Sequence, residues 1–348
     1  MINKPIFQRS DFQLCDVPVP EGYPQSQTHA GVFLYDGVFY MTTSPYPNKR
    51  YSRWKSLCRI ALQKLSCGLF NEVDGEYYEN PCLYKGETTN VSDIPVRFKP
   101  LADNPLVRTP ESLNGLPAYN SDPDLFVEDG TFYILNRTLY RTKMLEHGYE
   151  SRTIVSLIAG ELRDDSFVHI GTRQIKEWNL PFTSPCLTKY RGKYVFSFLD
   201  TNSAIDSSTF NGIFFQSVNS IEDLSIDNQY VKIDVDSDVM LPWHMSLFQY
   251  KGTLYTVIAC VRKGDPERKI WQMLGTFSED LTELKVFPVP LSDYNSYRGS
   301  ACVREDGLFI LYNTTVCEQV VGSDSIDGRD VILAFKPFDD LIKEVRGL

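Results

Sequence analysis

The chain alternates short apolar runs with polar turns, and one unit of that pattern recurs. Its clearest copy is residues 121–137, SDPDLFVEDGTFYILNR. Asp122-Pro123 opens it, Leu125-Phe126-Val127 is an apolar run, Asp129-Gly130 is a tight turn, and Phe132-Tyr133-Ile134-Leu135 answers it. Asp-Gly between two apolar runs predicts a β-hairpin, because glycine accepts the positive φ that a two-residue turn needs. Similar units begin at His29 (HAGVFLYDGVFYMTTSP), Thr183 (TSPCLTKYRGKYVFSFLD), Trp243 (WHMSLFQYKGTLYTVIAC) and Arg298 (RGSACVREDGLFILYNT). The turn glycines are Gly37, Gly130, Gly192, Gly252 and Gly307, separated by 93, 62, 60 and 55 residues.

Repeats of this length, each one small sheet, predict an all-β five-bladed β-propeller with four-stranded antiparallel blades. The blades are expected to start near residues 29, 121, 183, 242 and 298, and residues 1–348 to form one domain. The long first gap predicts an insertion in blade one. Within it, Trp54 to Leu65 fits helical and strand spacing equally, and Glu79 to Tyr84 reads as an outer strand. Residues 1–28 are expected to cap the fold or to supply a closing strand. Third strands are expected at Arg152–Ile158, Gly212–Val218, Ile270–Phe277 and Val331–Phe335.

Composition narrows the partners. Aromatic residues make up 13% of the chain, which suits both stacked sheets and a sugar-binding surface. A net charge of −10 repels phosphate backbones, so no nucleic-acid partner is expected. No apolar run approaches the roughly 20 residues of a membrane span, so no membrane partner is expected either. The N-terminal stretch lacks the apolar core of a signal peptide. The eight cysteines include no CxxC pair, and a cytoplasmic location with free thiols is the expectation.

In a propeller the first strand of each blade lines the central channel, so residues opening those strands converge at one end of the axis. Here they are His29, Asp122, Ser184, His244 and Arg298. A wet channel accounts for polar residues without a function, but an acid, two imidazoles, a hydroxyl and a guanidinium at matching positions point to a site. No metal-ligand spacing occurs in the sequence, so no residues are assigned as metal ligands.

The five-blade plan, with its Asp-Pro, Thr-Ser-Pro, Trp-His and Tyr-Arg-Gly openings, resembles the five-bladed propeller glycosidases. Glycoside hydrolase family 43 and its relatives are the nearest in kind. The resemblance spans about residues 29–335 and implies a carbohydrate-active protein, a glycoside hydrolase with an axial pocket for an oligosaccharide or glycoside. It implies carboxylate chemistry: an Asp base on blade one, a Glu acid on blade three, an Asp that tunes the acid, and a blade-four His that holds water or an ion. No cofactor is required; an axial divalent cation, calcium, is compatible with it. This sequence departs at the first two positions, where His29 and Ser184 stand. Asp122 and His244 are therefore the catalytic candidates. His29, Asp124, Ser184, Asp200, Trp243 and Arg298 are the substrate-binding candidates, with Tyr294 and Tyr297 as further stacking surfaces. The rival expectations are a carbohydrate-binding propeller without catalysis and a protein-interaction propeller. The second lacks the Trp-Asp ends and Gly-Gly pairs of its usual repeats.

Overall fold

A computed structural model describes residues 4–347 apart from 24–25, 47–78, 89, 91–92, 102, 112, 114, 117, 146–147, 180–181, 201–211, 227–229, 236–239, 263–268, 293–295 and 316–329. The strands form a five-bladed propeller. Blade one is β2 (Ser26–Tyr35), β3 (Val38–Tyr46), β4 (Cys82–Gly86) and β5 (Phe98–Pro100). Blade two is β6 (Ala118–Glu128), β7 (Thr131–Leu145), β8 (Gly148–Arg163) and β9 (Ser166–Trp178). Blade three is β10 (Phe182–Tyr190), β11 (Lys193–Asp200), β12 (Gly212–Val218) and β13 (Val231–Val235). Blade four is β14 (Met240–Tyr250), β15 (Thr253–Arg262), β16 (Ile270–Phe277) and β17 (Glu283–Val286). Blade five is β18 (Ser296–Val303), β19 (Leu308–Thr315), β20 (Val331–Pro337) and, from the far end of the chain, β1 (Gln13–Leu14).

The repeated hairpins are the inner two strands of each blade. In four of them X-Gly forms a turn with both residues left-handed: Asp36-Gly37, Asp129-Gly130, Arg191-Gly192 and Lys251-Gly252. That mirror-image turn matches the right-handed twist of the flanking strands. The fifth differs. Gly307 alone is left-handed, and its N–H donates to the Arg304 carbonyl at 2.9 Å within a longer loop.

Apolar faces meet between the blades. One buried cluster packs blades three and four through Leu199, Phe215, Met245 and Ile258. Others fill the remaining gaps, from blades four and five round to blades one and two, and again between two and three. A terminal helix, α1 (Phe338–Val345), adds Phe338 and Leu341 to the seam between blades four and five. Among the described residues no helix is long and apolar enough to cross a membrane. Cys15, Cys82, Cys186, Cys260 and Cys302 are free.

One expectation is met and one is corrected. Residues 1–28 do supply a closing strand, as β1 pairs with β20. Glu79 to Tyr84 leads into β4, the third strand of blade one and not its outer one, because β5 pairs outside it. The ambiguous stretch from Trp54 to Leu65 lies outside the described residues, as do Tyr294 and the loop after Asp200.

Candidate functional site at the channel axis

Each inner strand breaks register near its start. The shifts fall between Thr28 and Gly31, Ser121 and Asp124, Thr183 and Cys186, Pro242 and His244, and Ser296 and Arg298. A bulge leaves an extra residue unpaired and re-aims its side chain. In the first three blades a residue in the bulge is held left-handed: His29 at φ 55°, Asp122 at 50° and Ser184 at 51°. None is glycine, so each costs about 1–3 kcal/mol that the surrounding sheet must offset, and such strain collects at functional sites.

The result is a buried cluster drawn from four blades. His29, Asp122 and Ser184 are fully buried and His244 is 2% exposed. Asp122 is its hub. One oxygen lies 2.9 Å from His29 Nε2 and 3.5 Å from His244 Nδ1. The other lies 2.9 Å from Arg137 Nε and accepts the Ser184 N–H at 3.4 Å. Burial alone would raise the Asp122 carboxyl, but the Arg137 guanidinium and then the two imidazoles outweigh it and hold it well below the usual carboxylate range. Burial, aided by nearby cations, pushes His244 well below the usual imidazole range despite Asp122. At neutral pH the centre is therefore an ionised carboxylate beside a neutral His244. The Tyr297 ring packs on both imidazoles, 5.1 Å from His29 and 4.5 Å from His244.

Ser184, His244 and Asp122 do not form a nucleophilic relay. The hydroxyl and the carboxylate both approach Nδ1 of His244, at 2.7 and 3.5 Å, whereas a relay needs them on opposite nitrogens.

The other candidates divide. Trp243 borders the cluster, its ring edge-on to His244 at 5.8 Å. Asp200 is buried at the end of β11, opposite Phe182. Arg298 and Asp124 turn along the channel. Arg298 donates to the Pro123 carbonyl at 2.8 Å and pairs with Asp124 at 3.2 Å, tying blade five to blade two. Asp124 also accepts the Leu187 N–H at 3.2 Å, yet burial outweighs these contacts and raises its carboxyl to about 6. Asp124 further borders a cavity of about 960 Å³ at the other end of the channel, near Asp36 and Arg304. The left-handed residues that sit in strand bulges, away from the hairpin turns, are at the cluster, which is the candidate site.

Two members of the cluster were not singled out by the sequence. Glu79, read as an outer-strand residue, is 6% exposed, accepts the Ser121 hydroxyl at 2.5 Å and lies 3.5 Å from His29 Nδ1. It arrives from the approach to β4, where no repeat marks it. Arg137 ends the very unit that heads the repeat pattern, and its period-two spacing from Leu135 was the available signal. The sequence spacing also assigned no metal ligands. The fold nevertheless brings one donor atom each of His29, Asp122 and His244 within 4.8 Å of one another.

No protein-family model matches this chain, and no curated protein does. Solved structures share its architecture. One is an N-acetylgalactosamine deacetylase from F. plautii in complex with blood group B trisaccharide, 14% identical over 95% of this chain and 97% of that one, with a TM-score of 0.57. Another is a xylan β-1,4-xylosidase from Bacillus halodurans C-125, 15% identical over 90% of this chain and 54% of that one, with a TM-score of 0.57. A third is an endo-arabinase from Bacteroides thetaiotaomicron, 10% identical over 92% and 97%, with a TM-score of 0.54. At these identities the likeness is one of fold. The sequence-level resemblance to propeller glycosidases is met at that level.

Proposed function

We propose that this protein is a carbohydrate-active enzyme, a glycoside hydrolase that takes an oligosaccharide or glycoside at the axial end ringed by His29, Asp122, Ser184 and His244. The observation that carries the reading is the convergence of three left-handed, non-glycine residues from three blades, with His29 and Ser184 meeting the third, the buried, ionised carboxylate of Asp122. The shared fold supports it, since the three solved structures named above are named for work on sugars.

In this reading His244 is the proton acceptor. It is neutral at pH 7, and its Nδ1 is fixed by Ser184, which leaves Nε2 to meet a water. Asp122 stays ionised and stabilises the imidazolium that forms, and also positive charge developing on the sugar. Arg137 is a positioning residue that fixes the carboxylate. The half-buried Trp243 offers a ring face for stacking. Glu79 is the second carboxylate, on the far side of the His29 ring from Asp122. A two-carboxylate glycosidase also needs a neutral acid for the leaving oxygen, and Asp122 cannot be that acid. Substrates with good leaving groups are therefore the expected ones.

A second reading, a sugar-binding propeller that does not cleave, is favoured by the same lock on Asp122. A panel of aryl glycosides and oligosaccharides, read by turnover and by calorimetry, separates the two. Turnover that falls about 10²–10⁴-fold in His244→Asn, with KM little changed, is the expected result. Binding without turnover selects the second reading, and neither binding nor turnover overturns both.

A further inference from the structure

We propose that His29, Asp122 and His244 form a binding site for one divalent transition-metal ion of the zinc–iron class. This stands without the carbohydrate reading, because it is read from three side chains and their partners; with metal bound, His244 is a ligand and is not the proton acceptor of that reading.

The first observation is the donor set. Two imidazoles and one carboxylate, from blades one, two and four, place one ligand atom each within 4.8 Å of one another in full burial. Tetrahedral bonds of about 2.0–2.1 Å put ligand atoms roughly 3.3 Å apart. Asp122 Oδ1 lies 2.9 Å from His29 Nε2, near that value, and 3.5 Å from His244 Nδ1, the nitrogen that Ser184 also holds.

The second observation is which atoms go without hydrogen bonds. Among the buried polar atoms with none are His29 Nε2, His244 Nε2 and Asp122 Oδ1, one from each residue. His29 Nε2 and Asp122 Oδ1 face each other as an ion pair at 2.9 Å, so His244 Nε2 is the one of the three with no partner. Leaving such an atom bare in the interior is costly. The opposite edges of both rings are engaged. His29 Nδ1 lies 3.4 Å from Ser44 Oγ and 3.5 Å from Glu79. His244 Nδ1 lies 2.7 Å from Ser184 Oγ, which also accepts the Met245 N–H at 3.2 Å. A metal-bound imidazole needs this pattern, one nitrogen fixed by an outer partner and the other bare. Likewise the second oxygen of Asp122 is held by Arg137.

The third is the chemistry of the donors. The axial calcium compatible with the family resemblance does not suit this set. Calcium takes about 6–8 oxygen ligands, whereas two of the three donors here are nitrogens. Nitrogen-rich sets with one carboxylate suit zinc or iron. Three protein ligands leave a position open for water, as catalytic rather than structural sites do.

The test is metal binding by the intact chain, without sugar. Protein stripped with a chelator is titrated calorimetrically with Zn2+, Co2+ and Ca2+. One equivalent of Zn2+ is expected, with the visible spectrum of nitrogen-ligated Co2+ and no competition from Ca2+. His244→Ala and His29→Ala should lose the site. Ser184→Ala, which frees the outer edge of one ring, should weaken it about 10–100-fold. Wild-type crystals soaked in Zn2+ and measured at the zinc edge guard against variants that fail to fold. An anomalous peak between the three side chains is expected. No peak there, no Zn2+ or Co2+ uptake by wild type, displacement by Ca2+, or unchanged uptake by folded histidine variants each overturns the site. Because sugar turnover is not part of the readout, failure here is separable from failure of the hydrolase reading.

Discussion

At the scale of single residues, Asp122 and Asp124 show how two carboxylates two positions apart acquire opposite characters. The bulge holds Asp122 between the paired residues Ser121 and Asp124, so Asp122 faces Arg137 and two imidazoles while Asp124 faces Arg298, which does not offset its burial. Asp122→Asn leaves the Arg137 guanidinium buried without its counter-ion. A loss of about 3–5 kcal/mol follows from breaking a buried pair on one side, read as a drop in urea midpoint at pH 7. The pH dependence has a definite sign at Asp124. Its carboxyl titrates near 6 in the folded protein and near 3.8 in the unfolded chain. Between those values the folded state holds more protons, so this group lowers stability as pH rises from about 4 to about 6. Asp124→Asn removes that contribution. The stability gap between variant and wild type should therefore move by about 2–3 kcal/mol in the variant's favour from pH 4 to pH 7, measured by urea unfolding at both pH values. A gap that stays constant means Asp124 keeps an ordinary carboxyl. His244 acts the other way. The unfolded imidazole takes its proton first as pH falls, so stability drops below about 6.5. The aspartates and histidines were visible as strand openings in the sequence. Their characters were not, because those depend on Arg137 and Glu79, which come from β7 and the approach to β4 and share no motif with the openings.

The elements themselves were largely legible. X-Gly pairs between apolar runs mark the inner hairpins, and the third strands at Gly212–Val218 and Ile270–Phe277 fall where alternation places them. What alternation cannot show is a bulge, since one extra residue changes the phase of a strand without changing its composition. The five register shifts that aim the site were for that reason unwritten, and so was the longer turn at Gly307, whose Asp-Gly looks like the others. Glycines of different kinds test this level. Gly130 is left-handed in its turn, and a Cβ there meets nothing within 4 Å. Gly130→Ala should cost only its backbone conformation, about 1 kcal/mol. Gly160 in β8 is the reverse case. A Cβ there would stand 2.3 Å from the Phe167 ring and 2.7 Å from the Val168 carbonyl. Gly160→Ala must displace both a ring and a neighbouring strand, an overpacking cost of about 1–3 kcal/mol. Thermal unfolding should rank Gly160→Ala below Gly130→Ala; equal midpoints would mean that β8 and β9 separate freely there.

For the whole molecule the question is how a ring of sheets stays closed, because the axial cluster needs four blades at fixed spacing. Four blades are each continuous in sequence; blade five is not. It takes β1 from the start of the chain, with Gln13 opposite Leu333 and Leu14 opposite Ile332. The next two residues carry the seam onward. The Cys15 N–H donates to the Val331 carbonyl at 2.9 Å, and the Asp16 N–H donates to the Val96 carbonyl at 2.7 Å. Phe98 in blade one returns a bond to the Asp16 carbonyl at 2.9 Å. Two adjacent residues thus join blade five to blade one, over the cluster formed by Cys15, Phe39, Phe98 and Tyr312. Closure of this kind removes sheet edges that would otherwise lie open. Asp16→Pro deletes one N–H at the seam and leaves the Val96 carbonyl without that donor, a loss of about 1–3 kcal/mol. The distinguishing readout is hydrogen exchange. A ring held by this strap should lose protection in β1, β5 and β20 together, while the β6–β7 and β14–β15 hairpins keep theirs. Loss confined to residues 15–17 would show that the blades are held by their apolar interfaces alone. Parallel loss of metal uptake or turnover in Asp16→Pro would tie the geometry of His29, on the blade-one side of the seam, to closure of the ring.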